Sequence, residues 1–133
     1  MTQARQLLVM AVLLTLGCDS LTGPQVLPLR FTTPSSDSSA APIGIPGGIR
    51  VSGEFLTSCQ PYSVTASATK QAQVVTLAVT GHPLDGCPMD VVGSLGYTAE
   101  ISGLTSGGYR FELVHDDGMG GRVTRLDTGV SVP

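Results

Sequence analysis

The side chains of this 133-residue sequence that could do chemistry are few: three cysteines, two histidines and ten carboxylates. His115, Asp116 and Asp117 stand together in Leu113-Val114-His115-Asp116-Asp117-Gly118, and Asp85 and Asp90 fall in a proline-bearing stretch. A histidine beside an aspartate could support nucleophilic chemistry if a serine approached it. No serine is singled out. There is no Gly-x-Ser-x-Gly elbow, phosphate-binding loop, dinucleotide-binding glycine pattern, His-Glu-x-x-His or Cys-x-x-Cys. Both His82, before Pro83, and His115, at a strand end, read as surface residues near turns. Clustered carboxylates suit a hard cation such as Ca²⁺. Asp and Gly are equally the residues that turns require, and the spacing is not that of an EF-hand. The sequence points to no catalytic residue, no metal site and no cofactor, and the chain is expected not to be an enzyme. What remains is an end-loop binding surface made by Asp85, Asp90, His115, Asp116 and Asp117.

Strands must position these loops. From Gly47 onward apolar and polar residues alternate: Ile49, Val51, Gly53 and Phe55; Tyr62, Val64, Ala66 and Ala68; Val75, Leu77 and Val79; Tyr97, Ala99 and Ile101; Tyr109, Phe111 and Leu113. Period-2 alternation with β-branched and aromatic residues predicts half-buried antiparallel strands. In Arg122–Val132, Val123 falls out of phase with Thr128, Val130 and Val132, and a bulge near Leu126–Asp127 would restore the phase. A hairpin turn is expected at Lys70-Gln71-Ala72, with longer turns at Gly103–Gly108 and Asp116–Gly121. Six or seven strands in this length predict an all-β antiparallel sandwich over residues 47–133. If successive strands alternate up and down, the loops 57–61, 81–94 and 116–121 share one end.

The N-terminal third is of another kind. Residues 1–17 hold Arg5, an apolar run of ten residues over 7–16, and Gly17. A charged start, a short apolar core and a small residue before the cut describe a secretory signal peptide; ten residues cannot span a bilayer, which needs about 20. Residues 18–46, rich in Pro, Ser, Gly and Ala, read as a tether. Within it, Val26–Thr32 could form a first strand, which Pro28 would confine to an edge. Charged residues make up 13% of the chain and the formal net charge is −3, which argues against nucleic acid as a partner.

Leu13-Leu14-Thr15-Leu16-Gly17-Cys18 resembles the lipobox of bacterial lipoproteins. The resemblance implies cleavage before Cys18, acylation of Cys18, and a chain lipid-anchored in the bacterial cell envelope. Asp19 resembles the inner-membrane retention signal of enteric bacteria, a rule other bacterial groups do not follow. With Cys18 taken by lipid, Cys59 and Cys87 remain as an expected disulfide in an oxidising compartment. The loop it would close, about 28 residues, is worth roughly 3–4 kcal/mol in the chain-entropy model.

Tyr97–Gly118 is similar to the late strands of immunoglobulin-like and fibronectin type III-like domains: Gly103-Leu104 ends one strand, a Gly107-Gly108 turn follows, and Tyr109 opens the next. The resemblance implies an Ig-like sandwich in which Tyr109 is a corner tyrosine bonded to backbone. Together these features predict an envelope lipoprotein that presents a small non-enzymatic Ig-like domain for structural or binding purposes. An envelope regulator or protease-inhibitor-like module acting through its end loops is the alternative.

Overall fold

The computed structural model describes residues 23–36, 41–57, 62–83 and 93–133. Nine strands are described: β1 (Gln25–Val26), β2 (Leu29–Thr32), β3 (Ile43–Ile45), β4 (Gly48–Thr57), β5 (Tyr62–Gln71), β6 (Val74–Pro83), β7 (Gly93–Ile101), β8 (Gly107–Asp116) and β9 (Arg122–Val132). They form two packed sheets, one in the order β1-β5-β6-β8-β9 and the other β2-β7-β4-β3. The core is the set of inward rows. Val75, Leu77 and Val79 of β6 and Tyr109, Phe111 and Leu113 of β8 face Ile49, Val51 and Phe55 of β4 and Tyr97, Ala99 and Ile101 of β7. Each row is a period-2 row of the sequence, because a pleated strand sends alternate side chains to opposite faces.

The sheets take in more chain than the composition suggests. The expected tether, 18–46, contributes three strands. β1 pairs with β5 at Gln25↔Lys70 and Val26↔Thr69. The chain then changes sheet at Leu27–Pro28, where the Leu27 N–H donates to the Ala68 carbonyl at 2.9 Å and the Ser102 N–H to the Pro28 carbonyl at 3.0 Å. β2 continues as the edge partner of β7. Pro28 sits at the crossing, where no ladder bond is asked of it, and Leu27 is 3% exposed. Ile43-Gly44-Ile45-Pro46-Gly47-Gly48, which reads as linker, is a hairpin closed by Pro46-Gly47 with Gly47 at φ +75°. Proline sets the first corner of such a turn and glycine supplies the left-handed second.

The pairing departs from the antiparallel expectation at one place. β6 and β8 are parallel, from Val74↔Arg110 to Thr80↔Asp116. The cause is topological: β7 lies in the other sheet. A chain that leaves a sheet for one strand and returns must re-enter running as it left. The β5–β6 hairpin turns through Ala72-Gln73, with Gln71↔Val74 as its last pair and Ala72 at φ +52°, two residues past the expected start. The β9 bulge also lies close to its expected place: Leu113 pairs with Leu126 but Val114 with Thr124, leaving Arg125 unpaired between them. That extra residue lets Val123 and Leu126 share the inner face.

Tyr109 does what the resemblance implies. It is 5% exposed, and its hydroxyl donates to the Thr105 carbonyl at 2.8 Å, fixing the β7–β8 corner. On the outer faces, Arg50 pairs with Glu100 across β4–β7 and Arg110 with Asp127 across β8–β9. Such exposed pairs contribute little to stability. The fold's energy rests on the apolar rows. Tyr109→Phe is expected to lower stability by about 1 kcal/mol, and Leu77→Ala by about 2–5 kcal/mol, both read from urea denaturation midpoints at unchanged m.

Candidate functional site

The hairpin from β8 to β9 carries three of the residues expected at the binding end, and it separates them. His115 pairs with Val123 and Asp116 with Arg122, so His115 points inward and Asp116 outward. Asp116 Oδ1 accepts the Gly118 N–H at 2.9 Å. Asp117 Oδ1 accepts the N–H groups of Met119 at 2.8 Å and Gly121 at 2.9 Å. These donors hold the Asp117 carboxyl below the usual carboxylate range. The turn is built on these bonds and on Gly118 and Gly120, whose φ values of +75° and +94° suit glycine. A side chain at Gly118 would strike the Gly81 carbonyl, and one at Gly121 the Asp117 carboxylate. The carboxylates therefore shape the loop. Among the described residues no three His, Cys, Asp or Glu side chains gather as a metal site. Asp85, Asp90, Cys18, Cys59 and Cys87 lie outside the described residues.

The expectation of two surface histidines fails for His115. His82 is exposed, with its Nε2 3.0 Å from Thr65 Oγ1. His115 is 7% exposed, and its Nε2 lies 2.7 Å from the Tyr97 hydroxyl. Tyr97 belongs to β7 and His115 to β8, so this bond joins the two sheets. Phe55 packs on the imidazole with ring centres 5.1 Å apart, and Phe31 stacks on Tyr97 at 5.3 Å. Room for the phenol comes from Gly53: a Cβ there would lie 2.7 Å from the Tyr97 hydroxyl oxygen.

Burial, and then the nearby positive charge of Arg125, push the His115 imidazole down to about 4. Burial pushes the Tyr97 phenol up to about 12, against the opposing pull of Arg125. Both groups are neutral at physiological pH. An imidazole nitrogen is a better acceptor than a phenol oxygen, so we assign the Tyr97 O–H as donor to Nε2, which leaves the ring proton on Nδ1.

β3 pairs only with Gly48–Arg50 of β4, and beyond it the edges of β4 and β9 border a cleft of about 230 Å³ that His115, Phe55, Leu56, Val123, Arg125 and Asp117 line. A second hollow of about 320 Å³ shares Leu56, His115 and Arg125 and reaches Glu54 and Tyr97. Leu56 is 55% and Val123 49% exposed there. Of the residues expected at the binding end, the structure brings His115 and Asp117 together at this cleft. Tyr97, Phe55 and Arg125 are the members that sequence reasoning missed. One signal was present: Gly53 interrupts an otherwise bulky inward row, Ile49, Val51, Phe55, and marks a large side chain opposite.

The buried imidazole gives a pH dependence of known sign. In the unfolded chain it takes its proton near 6.5, and in the fold only near 4. Between those values the unfolded state binds more protons, so stability is full above about pH 6.5 and falls as pH drops toward 4. The His115 contribution approaches about 1.4 kcal/mol per pH unit in that window. Denaturation of the wild type and His115→Gln at several pH values should show the steeper loss only in the wild type.

No family model, curated protein or solved structure matches this chain.

Proposed function

We propose that this chain is a bacterial envelope lipoprotein, cleaved before Cys18 and acylated there, whose β-sandwich is a non-enzymatic binding module that offers its cleft end to a partner. The observation that supports the outward orientation of the cleft end is strand direction. β2 and β4 both pair antiparallel with β7, so β2 runs the same way as β4. β1 pairs antiparallel with β5 and leads into β2. The chain thus comes into the sandwich at the end holding Gly47 and Gly103, opposite the Asp116–Gly121 loop.

Cys18 is seven residues from Gln25 in sequence, a reach of roughly 25 Å at full extension. With lipid on Cys18, the Gly47 end faces the membrane and the cleft faces away from it. A Val26–Thr32 strand running against β4 would turn the loops toward the lipid. It runs with β4, which supports loops that point away from the lipid. Binding through an outward-facing end on a rigid sandwich is a common use of such scaffolds.

The corner bond of Tyr109 supports kinship with Ig-like and fibronectin type III-like domains, while the parallel β6–β8 pair departs from their antiparallel sheets. A Cys59–Cys87 disulfide belongs to the same proposal. Thr57 pairs with Gly93 and Tyr62 with Pro83, so the segments holding the two cysteines begin and end at the cleft end.

Peptide mass spectrometry of the protein from bacterial membranes, with and without reduction, tests this. The expected result is a chain lacking residues 1–17, with Cys18 acylated and a linked Cys59–Cys87 peptide. Cys18→Ser should move the protein from the membrane to the soluble fraction. An intact N-terminus with three free thiols would overturn the reading.

A further inference from the structure

The cleft holds a charge that the fold does not use. Arg125 is the bulged residue of β9, exposed, and lines both hollows. Arg50 and Arg110 are matched to carboxylates across their ladders, whereas Arg125 makes no hydrogen bond or ion pair with any described residue. A bulge is a common device for re-aiming a side chain; here it places a guanidinium beside the His115–Tyr97 pair.

His115 lines the same space. His115 Nε2 is occupied by Tyr97, and no described buried side-chain nitrogen or oxygen lacks a partner. The Nδ1–H therefore keeps its access to solvent, and His115 meets solvent where it lines the cleft. The walls, Phe55, Leu56 and Val123, are apolar. Asp117 also borders the cleft, but one of its oxygens is held by two backbone N–H groups of the turn. Glu54 lies in the neighbouring hollow.

The geometry points to a binding site for a carboxylate carried on a compact apolar or aromatic body. The carboxylate oxygens meet the Arg125 guanidinium, whose planar fork suits them. The Nδ1–H of His115 supplies the third donor, and the apolar body covers Phe55, Leu56 and Val123. The cleft is small beside most ligand pockets, so a fragment-sized acid fits, with affinity on the order of a millimolar. This inference rests on the binding reading above and not on the lipid anchor.

The test is an NMR titration of the full chain with sodium benzoate, with benzamide as the uncharged control and N-acetylphenylalanine as the peptide-terminus arm. Saturable shifts are expected at the Leu56 and Val123 amides and the His115 ring. Benzoate should bind at least about tenfold more tightly than benzamide, the difference expected of one charge-assisted contact. Arg125→Met should remove that preference, and Arg125→Lys should restore part of it, with thermal unfolding of both close to wild type. A tighter N-acetylphenylalanine arm would make a peptide C-terminus the natural source, and a tighter benzoate arm a free organic acid; either keeps the assignment. Equal binding of benzoate and benzamide, an unchanged Arg125→Met, or no saturable shift at these residues up to tens of millimolar would overturn it. None of those failures touches Cys18, whose acylation is read separately by mass.

Discussion

One hydrogen bond decides what the cleft end of this protein can be. The Tyr97 hydroxyl and His115 Nε2 meet at 2.7 Å between two sheets whose other inward contacts are almost all apolar. A phenol or imidazole shut in such a core without a partner costs roughly 1–3 kcal/mol. Paired with each other, they let the core end in polar groups without leaving either unsatisfied. Gly53 gives the phenol its space, Phe31 and Phe55 clamp the two rings, and the bulge at Arg125 sets a cation over them. Below this contact the sandwich is closed by apolar rows. Beside it the edges of β4 and β9 border the cleft.

The neutrality of the pair follows from the same burial. A charged imidazole there would face both a low dielectric and Arg125, so the ring stays neutral and acts as a fixed acceptor and donor. Arg125 is then the cation of the cleft, and recognition there falls to one guanidinium, one imidazole N–H and apolar walls. The Asp116–Gly121 loop is a self-bonded turn seated on Gly81.

Much of the architecture is legible in the sequence because each long strand carries its own period. The rows through Ile49, Val75, Tyr97 and Phe111 are visible as alternation, and the apolar residues of each inward row are buried. The backbone-bonded role of Tyr109 is legible through the resemblance of Tyr97–Gly118 to the late strands of Ig-like and fibronectin type III-like domains. Of the short strands, the stretch Val26–Thr32 that holds Val26 of β1 and all of β2 is offered by the sequence as an edge strand; β3 is not, because three residues cannot display a period and Pro and Gly dominate their surroundings. Pro46-Gly47 looks like linker for the reason that makes it a turn. The parallel β6–β8 pair is a property of which sheet β7 joins, and no local pattern encodes that choice. His115 reads as a surface residue because it ends a strand beside Asp-Asp-Gly, which signals an exposed turn. Its burial depends on Tyr97, 18 residues away in sequence and in the other sheet. Arg125 cannot be singled out until the bulge is placed to the residue.

Tyr97 and His115 act as one unit across the sheets, and a double-mutant cycle tests this coupling most directly. Stability would be measured for the wild type, Tyr97→Phe, His115→Phe and the double variant. If the bond joins the sheets as described, each single variant breaks it and strands the remaining polar group. The double variant then costs less than the sum of the singles, with a coupling of at least about 1 kcal/mol. Additivity within about 0.5 kcal/mol would contradict the account, and the cleft would need a different floor.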